Sequence, residues 1–273
     1  MKTKDAKDEI REQVTRAYSK AIEKTQTAGG CCSDAEPCGD IQSSRYGSDL
    51  EGVPQEAVQS SFGCGNPVAV ADLREGDVVL DLGAGAGLDL ILVAQKVGAT
   101  GSAVGVDMTP AMIEAARGNL ARAGVTNAEI RQGHIENLPV SDGSVDWVIS
   151  NCVINLSPEK EKVFAEIHRV LKPGGRFSIF DMVVESLPDH LRQVAAVHAA
   201  CVGGAISESE YANGLRAAGL VDVETPERHR YEPNQVRSII LSELDLDVPE
   251  TELDEIIRTA RVESVRFTGR RPR

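Results

Sequence analysis

The chain of 273 residues is long enough for one large α/β domain, or for one domain with an appended lobe. Its formal net charge of −13 argues against a nucleic-acid partner, because phosphate binding requires clustered Lys and Arg side chains. The charged N-terminus has no apolar signal region, and no stretch approaches the roughly 18 apolar residues of a membrane span, so we expect a cytoplasmic protein without a membrane partner.

Residues 1–70 are predicted to form an N-terminal helix and a cysteine-bearing cap. Residues 5–24 place apolar side chains on one helical face, whereas residues 28–52 show little periodicity and suit a loop. A short helix is expected at residues 54–61. Cys64 follows it, between two glycines, in a sequence typical of a turn. We expect this turn to let the Cys64 thiol move.

Residues 71–184 show strands alternating with helices, which predicts a parallel sheet with helices on both faces. The predicted strands are 78–83, 102–108, 128–133, 144–153 and 176–183. The predicted helices are 88–98, 109–124 and 157–175, and the second of these has Thr109 as its N-cap. Together these elements form the predicted cofactor-binding core.

Residues 185–273 are predicted to add helices on the substrate side and to complete the sheet. The predicted helices are 187–204 and 207–219, and the second opens with a Ser207 and Glu210 capping box. A sixth strand is expected at 219–225, and the C-terminal end is predicted as a helix followed by a last strand. These last elements would complete the sheet as an antiparallel edge and form a lid.

The first core strand ends in a glycine-rich turn, DLGAGAG. Glycines let the backbone approach a ligand closely, and ligands of open parallel sheets bind beyond the carboxyl ends of the strands. Leu88 stands where the dinucleotide pattern G-x-G-x-x-G requires a glycine. Asp81 would repel a pyrophosphate but suits S-adenosylmethionine, which carries a sulfonium and an ammonium. Asp107 ends the second strand, where its carboxylate can accept hydrogen bonds from ribose hydroxyls.

Two alternatives remain open at this turn. The glycines could form a tight turn without a ligand. Asp107 could serve only as a helix cap, since the next predicted helix begins two residues later.

Residues 74–183 resemble the class I S-adenosylmethionine-dependent methyltransferases. The matching pieces are VVLDLGAGAG, VGVDMTPAMIEAA, GHIENLP, SVDWVIS and HRVLKPGG. The resemblance implies a Rossmann-like fold with a mostly parallel seven-stranded sheet, and S-adenosylmethionine as the cofactor. It assigns to the cofactor Gly83, Ala84 and Gly85 at the methionine moiety, Asp107 and Met108 at the ribose and adenine, Ile135 and Glu136 beside the adenine, and Asn151 near the sulfonium. Asn151 could instead be a turn residue that bonds only to protein groups.

Three cysteines that are far apart in the sequence are expected to converge at the carboxyl end of the sheet. Cys152 follows the fourth strand, Cys201 lies at the end of a predicted helix, and Cys64 lies in the turn before the first strand. Three converging thiolates suit a soft, three-coordinate ion. The alternative for Cys152 is a structural role, because a free cysteine packs as a small hydrophobe.

A wider set of motifs, within residues 45–205, resembles arsenite S-adenosylmethionine methyltransferases. The motifs are GCGNP, DLGAGAGLD, GVDMT, SNCVINLSPEKEKV, HRVLKPGG and ACVGGA. The resemblance implies that arsenite, or its thiol conjugates, is the substrate and that Cys152 and Cys201 hold trivalent arsenic. It further implies that Cys64 joins them, in thiol coordination or in a disulfide with an N-terminal cysteine.

The N-terminal cysteine is assigned to Cys32, with Cys31 and Cys38 as neighbours that match the pattern equally loosely. The alternative for this group is an exposed redox tail or an adventitious metal site.

The electron count of arsenic predicts a mechanism. Thiolate-bound arsenic(III) keeps a lone pair that can attack the sulfonium methyl group, and the neutral leaving group needs no general acid. The enzyme would contribute mainly proximity and orientation. Methylation oxidises arsenic, so thioredoxin or glutathione is expected as the reductant.

Two other functions remain open. A class I methyltransferase of a small organic substrate, such as a quinone or sterol precursor, would not depend on Cys152 or Cys201. A thiol-rich metalloid-binding protein would bind arsenite without forming S-adenosylhomocysteine.

Overall fold

The computed structural model describes residues 6–27, 46–187, 201–242 and 250–273. The strands are β1 (Val78–Leu82), β2 (Ser102–Asp107), β3 (Ala128–Gln132), β4 (Val145–Asn151), β5 (Leu171–Glu185), β6 (Val221–Arg230) and β7 (Arg261–Arg270). The helices are α1 (Ala6–Thr27), α2 (Gln55–Gln59), α3 (Pro67–Val70), α4 (Leu88–Val97), α5 (Pro110–Arg122), α6 (Lys160–Val170), α7 (Glu208–Ala217), α8 (Pro233–Ser242) and α9 (Glu250–Thr259).

The seven strands form one sheet in the order β3-β2-β1-β4-β5-β7-β6. The first five strands in the chain are parallel to one another, whereas β7 is antiparallel to both β5 and β6. The predicted α/β fold, with its mostly parallel seven-stranded sheet, is therefore confirmed. The strand order reverses between β1 and β4, which is the point where open sheets of this kind bind ligands.

The central strands are buried because they are almost continuously apolar. In β1 and β4 the buried residues pack under helices on both faces, as expected for parallel strands. On one face α4 and α5 cover β1, β2 and β3. Helix α1 packs against α2 and α5. None of the described helices combines the length and the apolarity that crossing a bilayer requires.

Several predicted boundaries differ from the structure. Strand β5 begins at Leu171, because the chain extends directly from α6 without the predicted helical turn to residue 175. Thr109 occupies the N-cap position of α5 but makes no side-chain cap bond; its N–H instead donates to Asp107 Oδ1 at 2.8 Å. Helix α8 was not predicted, although Pro233 at its first position is a helix-start signal.

Two predictions for the C-terminal part of the chain are confirmed. The capping box of Ser207 and Glu210 is present at the start of α7, and β6 and β7 form the predicted antiparallel edge. Most of the predicted helix 187–204 lies outside the described residues. The division at residues 70 and 184 stays a prediction, and β7 pairs with β5 along the whole stretch from residue 176 to residue 185.

Candidate functional site

A cavity lies at the carboxyl ends of β1, β2 and β4, and α1 contributes Arg11, Val14 and Tyr18 to its wall. The nine residues expected to bind the cofactor all border this cavity: Asp81, Gly83, Ala84, Gly85, Asp107, Met108, Ile135, Glu136 and Asn151. Cys152 borders it as well. The structure thus brings together residues that come from β1, from the loops after β2 and β3, and from the end of β4.

The glycine turn after β1 has the shape that a closely approaching ligand needs. Gly83 has a φ of +65°, and a Cβ there would lie 2.3 Å from Val153 Cγ2. Gly85 has a φ of +51°, and a Cβ added there would lie 4.0 Å from the Gly83 carbonyl oxygen, its nearest contact among the described residues outside its chain neighbours. Left-handed backbone at both positions favours glycine. The open side of Gly85 can therefore accommodate a ligand against the backbone.

Asp81 places a buried carboxyl group at the cavity. Its carboxylate is buried, and Oδ2 has no hydrogen-bond partner among the described residues. Burial, and then the neighbouring carboxylates of Asp89 and Asp107, raise the pKa of Asp81 well above its usual range. A positively charged ligand would offset this unfavourable burial. The residues therefore fit S-adenosylmethionine, which carries two positive groups and no phosphate.

Asp107 is engaged by the backbone on both sides. Its Oδ2 accepts from the Gly85 N–H at 3.0 Å, and its Oδ1 accepts from the Thr109 N–H. Burial raises the pKa of Asp107, and these hydrogen bonds partly counteract that rise. The carboxylate therefore fixes the glycine turn and the start of α5. Each oxygen keeps a second lone pair that can accept a ligand hydroxyl.

Glu136 is linked to the helix that covers the cavity. Its Oε1 accepts from Ser157 Oγ at 2.7 Å and from Arg11 at 3.3 Å. Arg11 also donates to Glu159 Oε2 at 2.7 Å. Because Arg11 lies on α1, this ion-pair group ties α1 to the loop after β3 and to the start of α6.

The polar atoms of Asn151 bond to protein groups on both sides. Its Oδ1 accepts from the N–H groups of Cys64 and Gly65, at 2.8 and 3.0 Å. Its Nδ2 lies at 2.9 Å from both the Gly65 carbonyl and Tyr46 Oη, and at 3.0 Å from Asp89 Oδ2. These bonds agree with the alternative interpretation, in which Asn151 bonds only to protein groups.

The three predicted thiols lie in one buried cluster, which we call the thiol cluster (Cys64, Cys152 and Cys201). All three are buried, and none of them forms a disulfide. Cys201 Sγ donates to the Cys152 carbonyl oxygen at 2.9 Å. Burial, and then hydrogen bonding with the Cys201 and Cys64 thiols, raise the pKa of the Cys152 thiol well above its usual range. The resting cluster therefore holds its central thiol in the protonated form.

The three thiols of the thiol cluster lie together, but they are not arranged as the ligands of a bound ion. Among the described residues, no three His, Cys, Asp or Glu side chains are arranged to hold a metal ion. The thiols would have to reorient on binding, since Cys201 Sγ is directed at a carbonyl oxygen. The fourth predicted cysteine, Cys32, lies outside the described residues, as do Cys31 and Cys38.

The glycines beside Cys64 have a packing role. A Cβ at Gly63 would lie 2.2 Å from Asn151 Nδ2, and a Cβ at Gly65 would lie 2.2 Å from two ring carbons of Phe180. The Cys64 carbonyl oxygen also accepts from Ser264 Oγ at 3.0 Å. The turn is therefore held against β4, β5 and β7, whereas we expected the glycines to provide freedom of movement.

Sequence reasoning missed two residues that support the site. Tyr46 is buried, and its hydroxyl donates to Asp89 Oδ1 at 2.9 Å. Burial raises the pKa of Asp89 to about 6, although hydrogen bonds from Asn151 and Tyr46 lower it. An acidic residue within the apolar first two turns of α4 was a possible signal for Asp89. The sequence around Tyr46 contains no comparable signal.

Comparisons with known proteins relate this chain to methyltransferases. A family described as "Methyltransferase domain" matches residues 73–219. The arsenite methyltransferase of Halobacterium salinarum is 40% identical over 237 residues, which are 86% of this chain and 58% of that protein. Human arsenite methyltransferase is 32% identical over 75% of this chain and 56% of that protein. This chain thus spans between half and two thirds of the length of these curated relatives.

A solved structure extends the comparison to the fold. The crystal structure of CrArsM, an arsenic (III) S-adenosylmethionine methyltransferase from Chlamydomonas reinhardtii, is similar with a TM-score of 0.69 and 34% sequence identity. The similarity covers 87% of this chain and 75% of that one.

Proposed function

The chain belongs to the arsenite S-adenosylmethionine methyltransferases, within the methyltransferase-domain family, and from this membership we propose that it methylates trivalent arsenic. The observation that carries the proposal is the position of the thiol cluster. Cys152 borders the cavity that suits the methyl donor, and its thiol contacts those of both Cys64 and Cys201. A methyl acceptor held by these thiols would lie beside the donor.

Thiol chemistry explains how a cluster with protonated thiols can bind arsenite. Each As–OH group exchanges with one thiol: an As–S bond forms, and the hydroxyl leaves as water with the thiol proton. No catalytic base is needed, so the raised pKa of Cys152 does not oppose binding. Arsenic(III) keeps its lone pair in the thiolate complex and is therefore a nucleophile. The soft sulfur ligands suit this soft element.

We infer that the cavity residues hold S-adenosylmethionine. When bound, this molecule supplies an electrophilic methyl group on a positively charged sulfonium. The unpartnered Asp81 oxygen would face a positive group, and Asp107 would accept from ribose hydroxyls. The turn at Gly83, Ala84 and Gly85 would take the methionine moiety against its backbone. Met108, Ile135 and Glu136 would border the adenine.

A thiol reductant completes the proposal. Methylation leaves arsenic formally pentavalent, and two thiols that become one disulfide return two electrons to it. Thioredoxin or glutathione would supply these thiols, with arsenite or its thiol conjugates as the substrate. The cytoplasm, which is the expected compartment, would keep the thiols of the cluster reduced between turnovers.

The test is incubation with arsenite, S-adenosylmethionine and glutathione, followed by arsenic speciation and measurement of S-adenosylhomocysteine. The parent protein should form methylated arsenicals. Cys152→Ser and Cys201→Ser should lose this activity at least about 100-fold, because truncating a ligand set removes whole As–S bonds, while S-adenosylmethionine affinity stays within about twofold. Ser178→Ala is the matched control, since the Ser178 hydroxyl is buried in β5 without a partner among the described residues.

Two results would refute the proposal. Full turnover by Cys152→Ser with an organic acceptor would favour the methyltransferase of a small organic substrate. Tight arsenite binding without S-adenosylhomocysteine formation would favour a metalloid-binding protein.

A further inference from the structure

We propose that Asn151 is a positioning residue that holds Cys64 in the thiol cluster, and that it thereby favours arsenic with three exchangeable ligands over arsenic that already carries a methyl group. The inference rests on the proposed function. It gives Asn151 a role different from donor binding, although its side chain borders the donor cavity.

The hydrogen bonds of Asn151 describe a clamp on the Cys64 turn. Its Oδ1 accepts from the Cys64 and Gly65 N–H groups, and its Nδ2 lies at bonding distance from the Gly65 carbonyl. One amide group therefore binds three backbone groups of two consecutive residues. Such a bond set fixes both the position and the orientation of the turn that carries the Cys64 thiol.

A second set of hydrogen bonds holds the Asn151 side chain in place. Asn151 Nδ2 is within bonding distance of Tyr46 Oη and Asp89 Oδ2, and the Tyr46 hydroxyl in turn donates to Asp89 Oδ1. Tyr46 and Asp89 are both buried. The two hydrogens of Nδ2 are shared among Tyr46 Oη, Asp89 Oδ2 and the Gly65 carbonyl, and these contacts orient Oδ1 towards the turn. Tyr46 does not border the donor cavity, so its effect on the thiol cluster can only be indirect.

The position of Asn151 links this clamp to the thiol cluster. Asn151 is the last residue of β4, and Cys152 is next in the chain. The same short segment therefore carries one thiol of the cluster and the side chain that fixes a second. Cys64 would add the third ligand to the pair that Cys152 and Cys201 supply.

The valence of arsenic makes this third ligand selective. Arsenous acid has three exchangeable hydroxyls and can form three As–S bonds. A methylated trivalent arsenical has one As–C bond and can form only two. If Asn151 acts by positioning Cys64, its loss should therefore impair the use of arsenite more than the use of the methylated species.

The first test does not depend on arsenic. Iodoacetamide alkylation of each cysteine is followed by peptide mass spectrometry in the parent protein and in Asn151→Ala. We expect Cys64 to be alkylated roughly tenfold faster in the variant, because two turn N–H groups lose their acceptor, while Cys152 changes by less than about twofold. An unchanged Cys64 rate would overturn the inference, whatever the protein does with arsenic.

The second test compares kcat/KM for arsenite with that for methylarsonous acid. In Asn151→Ala the arsenite value should fall roughly 10- to 100-fold and the methylarsonous value by less than about threefold. S-adenosylmethionine affinity should stay within about twofold. Equal losses with both arsenicals, or a tenfold loss of donor affinity, would make Asn151 a donor ligand or a general structural residue instead.

Two further variants provide a milder test and a matched control. Tyr46→Phe removes one support of the clamp and should move the alkylation rate and the kcat/KM ratio in the same direction by a smaller factor, even if Asn151→Ala does not fold. Asn127→Ala is the matched control, because Asn127 Nδ2 donates to the Ala94 and Gly98 carbonyls away from the cavity. A parent protein that methylates neither arsenical would refute the proposed function, while the alkylation result would still decide the role of Asn151.

Discussion

Adding one methyl group at Gly65 should disrupt the Cys64 turn. A Cβ at Gly65 would lie 2.2 Å from Cγ and Cδ1 of Phe180 and 2.8 Å from its Cβ, whereas ordinary van der Waals contact begins at 3.4 Å. Phe180 is buried and cannot swing into solvent. The turn of Gly65→Ala therefore has to move away by about 1.2 Å.

The magnitude follows from the bonds that this shift breaks. The Gly65 N–H and carbonyl bond to Asn151 at 3.0 and 2.9 Å, so the shift takes both distances towards about 4 Å, beyond hydrogen-bond range. Overpacking costs about 1–3 kcal/mol, and each lost buried bond costs about 1 kcal/mol. A shift of the turn relieves part of the overpacking, and a partial shift keeps part of the hydrogen bonding, so neither cost applies in full. We therefore expect the free energy of unfolding to fall by about 2–4 kcal/mol.

The assay combines urea unfolding with arsenite turnover. Gly65→Ala should show the stability loss and a turnover reduced at least roughly tenfold, while S-adenosylmethionine affinity is retained. Gly118→Ala is the control, because Gly118 lies inside α5 with only the Arg122 side chain nearby, and alanine there should gain up to about 1 kcal/mol. If Gly65→Ala kept both the stability and the turnover of the parent, close packing would not be the reason for this glycine.

Three further predictions concern single residues. Arg11→Met should weaken S-adenosylmethionine binding roughly three- to tenfold in equilibrium dialysis, because Arg11 ties α1 to Glu136 and Glu159 across the cavity; an unchanged affinity would refute this. Burial raises the pKa of Asp181 from 3.8 to about 6, so the native state binds this proton more tightly and the parent loses stability as pH rises between these values. The unfolding free energy of Asp181→Asn relative to the parent should therefore increase by about 3 kcal/mol from pH 3 to pH 7, and a flat difference in urea titrations would contradict it. Because Cys152 has a φ of +61°, Cys152→Gly should be more stable than Cys152→Ala by up to about 1 kcal/mol in thermal unfolding, and the reverse order would argue against backbone strain.

The sheet could be predicted from the sequence because its information is local. Strand β1 is an apolar run that ends at a glycine, and α5 begins with Pro110 after a short polar stretch. The alternation of such elements leaves few topologies open. Helix α8 was missed because its periodicity is short, and the start of β5 was misplaced because a Pro-Gly-Gly sequence that suggests a turn lies inside a strand with irregular register.

The convergence of Cys64, Cys152 and Cys201 could be predicted in outline, because the carboxyl ends of parallel strands meet at one edge. The residues that hold Cys64 in place could not be predicted. Asn151 and Ser264 contact it across 87 and 200 residues of sequence, and no periodicity relates such positions. The packing of Phe180 on Gly65 is equally nonlocal, so the sequence offered a flexible turn as the simpler explanation for these glycines.

Backbone strain gives a reason to assign the cysteines a chemical role. A buried cysteine alone is ordinary, since it packs as a small hydrophobe. Cys152 and Cys201, however, have φ values of +61° and +60°, a conformation that costs a non-glycine residue about 1 kcal/mol or more.

At Cys152 the strain lies where the strand meets the cavity. Its N–H still donates to the Phe180 carbonyl at 2.8 Å, as if β4 continued, and the chain then leaves the sheet into a short 3-10 helix at Ile154–Leu156. Glycine would make this exit at lower cost but would supply no thiol. The same conformation recurs at Cys201, whose thiol donates to the Cys152 carbonyl, and the proposed ligand role would explain why cysteine rather than glycine stands at both positions.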